Sequence, residues 1–162
     1  MRLAAEAPLW LAVIFAVVLV AAAVEDAVRL RICNIICILI LGAAFVAIAV
    51  TGPQPASWQN IVVFGALLGI GTLLFASGKF GGGDVKLLAA AGLWFDIRSG
   101  VLMLTTVLFT GGVLALIILA LRLFNWSDAA IARVRLLKPK GGIPYGVAIA
   151  VGVLMATAML RR

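Results

Sequence analysis

Apolar residues fill most of the chain in long runs that short polar stretches separate. A helix needs about 20 apolar residues to cross a bilayer. Runs near that length are predicted at Pro8–Val24, Ile32–Val50, Trp58–Ser77, Val101–Leu121 and Ile143–Leu160. A shorter run, Val85–Phe95, would rise only about 17 Å as a helix. Polar residues at 96–100 interrupt the pattern after it. The pattern predicts an all-α polytopic membrane protein.

The first run contains Ala21-Ala22-Ala23, which imitates a signal-peptide cleavage site. A signal peptide, however, begins with a positively charged region, and here Arg2 is offset by Glu6. We therefore expect the run to be retained as the first transmembrane helix.

The polar stretch between the last two runs, residues 122–142, predicts a basic interfacial helix. Ser127 is a suitable N-cap for a helix over about residues 128–137. Pro139 and Gly141-Gly142 would end it. A basic helix of this kind lies on the anionic cytoplasmic leaflet.

Lysine and arginine residues orient the predicted bundle. With six spans, the segments around Asp26, Asp84 and residues 122–140 lie on one side and carry nine of the thirteen basic residues. Because cytoplasmic loops are enriched in positive charge, both aspartates are expected at the cytoplasmic face. With only five transmembrane helices, the basic 122–140 segment would lie on the side of the membrane opposite the cytoplasm. We therefore expect the short 85–95 run to cross too, which gives about six transmembrane helices.

Composition narrows the chemistry. The chain is 65% hydrophobic and 12% charged, which leaves little room for a soluble domain, so we expect one membrane-embedded domain over residues 1–162. The absence of histidine excludes Ser-His-Asp and Cys-His nucleophiles and a histidine-bound zinc. The net charge of +7 is interpreted as an orientation signal, and no nucleic-acid partner is expected.

The two cysteines, Cys33 and Cys37, are four residues apart and share one helix face. They are too few for a four-thiolate metal site. Two small, soft side chains at this spacing are typical of helix packing, an interpretation that we favour over a disulfide. No metal and no cofactor are expected.

Asp84 is the most informative acid, because it lies between three glycines and an apolar helix. The glycine-rich stretch from Gly78 to Asp84 is expected to be irregular backbone that another group can approach closely. Charges at membrane depth are costly and usually functional. From spacing alone, an acid at a helix end is more often an interfacial anchor or a salt-bridge partner than a catalyst.

Asp26 is the second candidate, at the end of the first predicted helix. Two adjacent carboxylates can share one proton, since like charges a few ångströms apart do not both ionise easily. The ionised member can then activate water while the protonated member polarises a peptide carbonyl. Glu25 neighbours Asp26, and residue chemistry alone does not choose between them.

Three segments resemble a known family in the same order. Gly81-Gly82-Gly83-Asp84 matches the Gly-x-Gly-Asp signature of intramembrane aspartic proteases. Its continuation Val85-Lys86-Leu87-Leu88 is similar to the type IV prepilin peptidase family. Asp26 followed by Arg31-Ile32-Cys33-Asn34 resembles the family's aspartate, basic residues and Ile-Pro-Asn. Ile143-Pro144-Tyr145-Gly146 resembles its final-helix segment.

The resemblance implies an aspartic endopeptidase with Asp26 and Asp84 as catalytic residues. It implies prepilin and pseudopilin substrates, whose short basic leader is removed at the cytoplasmic face of the bacterial inner membrane, just before an apolar helix. Lys86, Asn34, Pro144 and Tyr145 are expected to shape the site, together with the three glycines. Lys79 is expected to face lipid head groups.

Two departures from the family pattern matter. Cys33 stands where the family has proline. Larger members carry a four-cysteine region that accompanies methylation of the new N-terminus, and the stretch before Pro8 is too short to hold it. The chain resembles the short, peptidase-only form found with tight-adherence (Flp-type) pili, so no methyltransferase activity is expected.

Three alternative functions stay open at this point. The same acids could relay protons in a small transporter or channel subunit. The chain could also be a non-catalytic assembly protein of a pilus or secretion system. A presenilin-like or signal-peptide-peptidase-like specificity shares the Gly-x-Gly-Asp signature, but the contexts of Asp26 and Pro144 fit the prepilin family better.

Overall fold

The computed structural model describes residues 2–52, 54–78, 80–124 and 142–162, and all regular structure in these ranges is helical. The predicted interfacial helix at 128–137 lies outside the described residues, as does Lys79. The helices are α1 (Leu3–Glu6), α2 (Leu9–Arg29), α3 (Asn34–Thr51), α4 (Trp58–Ala76), α5 (Gly82–Gly92), α6 (Ile97–Leu123) and α7 (Tyr145–Leu160).

Helices α2, α3, α4 and α6 are each long and apolar enough to cross a membrane, and α7 is a shorter apolar helix. The prediction of an all-α, multi-pass membrane protein is confirmed. Helix α5 has 11 residues, and its crossing stays a prediction.

Helix α2 extends beyond the predicted end at Val24 and includes Asp26. An ion pair between Arg29 and Glu25 (3.4 Å) supports its last turn at the favourable i,i+4 spacing. The helix ends at Leu30, whose left-handed backbone (φ 53°) is uncommon for a residue with a side chain. The Leu30 N–H donates to the Asp26 carbonyl at 2.8 Å.

Helix α5 begins inside the glycine run, so the prediction of irregular backbone is wrong for Gly82, Gly83 and Asp84. Gly81 is the N-cap, with extended backbone (φ −74°). Glycine is needed at Gly82 and Gly83 because neighbouring side chains leave little room for a Cβ there. A Cβ on Gly82 would lie 3.3 Å from the Phe75 ring, and one on Gly83 would lie 3.2 Å from the Ile32 Cβ.

The polar residues after α5 begin a helix rather than interrupt one. Asp96 forms a capping box with Ser99: the Ser99 N–H donates to Asp96 Oδ1 at 2.8 Å, and the Asp96 N–H donates to Ser99 Oγ at 3.0 Å. This reciprocal pair satisfies donors that a helix start leaves open. Helix α6 therefore starts at Ile97, four residues before the predicted Val101.

The turn between α5 and α6 anchors the core. Trp94 is fully buried, stacks on Phe15 of α2 with ring centroids 4.2 Å apart, and donates from Nε1 to the Ile40 carbonyl at 3.2 Å. A buried indole N–H needs such a partner. This turn therefore ties α5 to α2 and α3.

Helix α7 packs against α6, α2 and α5. Its approach to α6 is close, because a Cβ on Gly152 would lie 2.5 Å from the Val107 Cα. At its other end, the Arg161 guanidinium donates to the carbonyls of Ala4 and Ala7, each at 2.8 Å. The packing of α7 brings its first residues beside the end of α2 and the start of α5.

Candidate active site

Asp26 and Asp84 line one cavity of about 370 Å³ where α2 ends and α5 begins. The structure thus brings together two acids that are far apart in the chain. The rest of the wall comes from Leu30, Arg31, Ile32, Asn34, Gly81, Gly82, Gly83 and Lys86.

Asp26 is buried in the last turn of α2, with 5% of its surface exposed. Its Oδ2 accepts a hydrogen bond from the Gly146 N–H at 2.7 Å. That N–H belongs to the first turn of α7, where backbone donors lack partners within the helix. A helix start of this kind favours negative charge, so α7 supplies both a donor and a favourable dipole to Asp26.

Asp84 occupies the third position of α5 and lies close to Gly81, the N-cap, where an added Cβ would be 2.5 Å from Asp84 Oδ2. This is the position from which an acidic side chain best accepts the N-cap N–H. The glycines before it leave room for the loop at Ile32 to pack on α5. The start of α5 therefore holds the Asp84 carboxylate at the cavity wall.

Glu25, which residue chemistry could not separate from Asp26, has a different environment. Its Oε2 accepts from the Cys33 N–H at 3.0 Å, and its Oε1 contacts Arg29. It lines a separate surface depression along α2. Glu25 therefore links the end of α2 to the start of α3, while Asp26 lines the cavity together with Asp84.

Lys86 and Asn34 meet at the edge of the cavity, where the Lys86 ammonium donates to Asn34 Oδ1 at 3.0 Å. Pro144 is buried and is the N-cap residue of α7. Tyr145 stacks on Phe80, with ring centroids 5.5 Å apart. Neither Pro144 nor Tyr145 is part of the cavity wall, but both stand at the helix start that binds Asp26.

Gly146 is the residue that the predicted site omits. A Cβ at this position would lie 2.8 Å from Asp26 Oδ2, 2.8 Å from Ile32 Cδ1 and 2.9 Å from the Asp26 Cβ. The sequence feature that could have identified Gly146 as a site residue is its position directly after Pro144-Tyr145. Leu30, Arg31 and Ile32 also line the cavity and were not among the expected site residues.

The two cysteines have different surroundings. Cys37 is buried and packs in the hydrophobic core, whereas Cys33 is exposed, and both thiols are free. The packing interpretation therefore applies to Cys37.

These features define a class: a helical multi-pass membrane protein in which two carboxylates from different helices line one polar cavity. A family model described as the type IV leader peptidase family matches residues 13–134. The match covers more than half of the 162-residue chain and includes both acids. The chain therefore belongs to the type IV leader peptidase family, a family of peptidases. No curated protein and no solved structure gives a significant match.

Proposed function

We propose that this protein is a prepilin leader peptidase, an aspartic endopeptidase that uses Asp26 and Asp84 as its catalytic pair. The observation that carries the proposal is the shared cavity, which both carboxylates line in a chain of the leader peptidase family. A cavity of about 370 Å³ is within the usual size range of ligand sites.

The proposed reaction follows from two carboxyl groups that hold one proton between them. The ionised carboxylate takes a proton from water as that water attacks the scissile carbonyl carbon. The protonated carboxyl donates to the carbonyl oxygen as charge develops there. Breakdown of the tetrahedral intermediate returns a proton to the leaving amine. The Gly146 N–H would keep Asp26 in position through this cycle.

The proposed substrates are prepilins and pseudopilins, cut between a short basic leader and an apolar helix. The predicted topology puts the cavity at the cytoplasmic face of the inner membrane, because most basic residues of the chain lie on the same side. The cleaved bond would therefore lie at the membrane surface, with the apolar helix of the substrate in the bilayer.

Cleavage by the purified protein in detergent tests the proposal. The substrate is a synthetic peptide with a basic leader followed by an apolar segment, and the products are identified by mass spectrometry. Asp26→Asn and Asp84→Asn should each reduce kcat/KM by about a thousandfold or more, since each removes half of the acid–base machinery. Both variants should unfold at a thermal midpoint close to that of wild type, which shows that they are folded.

Glu25→Gln is the matched control, because it removes the neighbouring carboxylate and keeps an amide oxygen for the Cys33 N–H. It should cleave at close to the wild-type rate. Intact cleavage in both aspartate variants would refute the catalytic assignment. A proton flux that depends on these aspartates, without proteolysis, would instead favour a transporter.

A further inference from the structure

A second cavity adjoins the candidate active site. It is a groove of about 310 Å³ between α3, α4 and α5. Asn34 and Lys86 belong to the walls of both spaces. Apart from these two residues, the groove wall consists of Cys37, Ile38, Leu41, Phe64, Leu68 and Ala89.

The groove runs from the level of the two aspartates along the helices. On α3 its wall follows the spacing Asn34, Cys37–Ile38, Leu41, which is one face of a helix over two turns. Leu41 lies seven positions after Asn34, and at a rise of 1.5 Å per position this wall is about 10 Å long. On α5 it runs from Lys86 to Ala89, in the direction away from Asp84. The groove is therefore an apolar extension of the polar cavity along the membrane-spanning helices.

We propose that this groove binds the apolar side chains that follow the scissile bond of the substrate, an inference that rests on the proposed function. A peptide whose scissile carbonyl lies between Asp26 and Asp84 leaves the polar cavity past Asn34 and Lys86. Its next three residues, extended at about 3.3 Å each, span the length of the groove.

The chemistry of the two spaces matches a substrate with a polar side and an apolar side. The cavity with the carboxylates receives the basic leader, and the apolar groove receives the first hydrophobic residues. At the boundary, the Lys86 ammonium has three N–H donors, and its bond to Asn34 uses one. The others can donate to carbonyl groups of the bound peptide. Asn34 and Lys86 are therefore positioning residues.

The test places a larger side chain in the groove wall and compares the cleavage of two peptides. Ile38 lines the groove and is 63% exposed, whereas Ile35, also on α3, is 64% exposed and does not line it. Ile38→Trp and Ile35→Trp thus add the same side chain at equally exposed positions. One peptide has leucine or phenylalanine at the first three positions after the scissile bond, and the other has alanine there.

Ile38→Trp should raise KM for the large-residue peptide by about tenfold and leave kcat unchanged, since it removes ground-state and transition-state binding equally. The alanine peptide should be affected much less. Ile35→Trp should stay within about twofold of wild type for both peptides. Equal KM values for the two tryptophan variants would overturn the proposal.

A binding measurement tests the groove without catalysis. In protein carrying Cys33→Ser, Cys37→Ser, Asp84→Asn and Ile38→Cys, the introduced thiol is the remaining one, at a groove position that is 63% exposed. An uncleaved peptide at about ten times its dissociation constant should slow modification of the Ile38→Cys thiol by a small methanethiosulfonate about tenfold. Protection by added phosphatidylglycerol but not by peptide would assign the groove to lipid and overturn the proposal.

The two proposals fail in different ways. If wild-type protein cleaves neither peptide, the proposed function is wrong, whatever the thiol protection shows. If it cleaves both peptides while Ile38→Trp matches Ile35→Trp and the Ile38→Cys thiol is not protected, only the groove assignment is wrong.

Discussion

Gly146→Ala is the sharpest test of how helix α7 supports the site. The added Cβ would lie 2.8 Å from Asp26 Oδ2 and 2.9 Å from the Asp26 Cβ. Apolar carbon atoms pack best at about 3.5–4.0 Å. The Ile32 Cδ1, also 2.8 Å away, ends a flexible side chain and can turn aside. The Asp26 Cβ cannot, because it is bonded to the backbone of α2.

The start of α7 and the end of α2 must therefore separate by about 0.6 Å or more to restore ordinary carbon–carbon contact. This shift lengthens the 2.7 Å bond from the Gly146 N–H to Asp26 Oδ2 and moves Asp26 relative to Asp84. Misplacing a reacting group by about 1 Å costs about a hundredfold in rate. We expect kcat/KM to fall by about 10- to 100-fold and the free energy of unfolding to fall by about 1–3 kcal/mol.

The assay is peptide cleavage in detergent, combined with a thermal melt of each variant. Gly112→Ala is the control: this exposed glycine lies in α6, and a Cβ there would meet nothing within 4 Å. It should cleave like wild type and unfold at the same or a higher temperature, since alanine favours helix over glycine. Wild-type kcat/KM in folded Gly146→Ala would refute the reasoning. So would an equal loss of activity in Gly112→Ala.

Two further predictions concern stability. Gly152→Ala puts a Cβ 2.5 Å from the Val107 Cα, so α6 and α7 must separate. We expect the free energy of unfolding, measured with heat or denaturant, to fall by about 1–3 kcal/mol. An unchanged unfolding midpoint would contradict the packing of these helices. Burial acts to raise the pKa of Asp96, but hydrogen bonds from Ser99 and the Arg2 charge together hold this pKa below its ordinary value. A depressed folded-state pKa stabilises the fold above the unfolded value of about 3.9. Wild type should therefore have a higher melting temperature than Asp96→Asn at neutral pH. This difference in melting temperature should disappear as the pH falls through about 4 and below. A difference that stays constant over this pH range would refute the capping argument.

Helix boundaries show where sequence patterns lose accuracy. Apolar run length predicts the helices α2, α3, α4, α6 and α7, with ends that differ from the observed ones by up to five residues. It misses the start of α6, because the polar residues Asp96 and Ser99 satisfy each other at the helix N-terminus rather than break the pattern. It also misreads the start of α5, because glycine serves close packing there rather than unusual backbone.

The candidate site was also predictable from the sequence only in part. Asp84 stands out in the sequence because a charge beside glycines at the start of an apolar helix is unusual. The choice between Glu25 and Asp26 needs the tertiary structure, since neighbouring residues on a helix point in directions about 100° apart. Glu25 accepts from the Cys33 N–H, and Asp26 lines the cavity that also contains Asp84.

The sequence by itself determined that this is a helical membrane protein with few acids and no histidine, because hydrophobic run length and residue chemistry are local properties. It also determined the family resemblance, through short segments in a fixed order. Only the tertiary structure decided that Asp26 and Asp84 share a cavity and that Gly146 binds Asp26. It also placed an apolar groove beside them. These features join residues up to 120 positions apart, and helix packing rather than any local pattern brings them into contact.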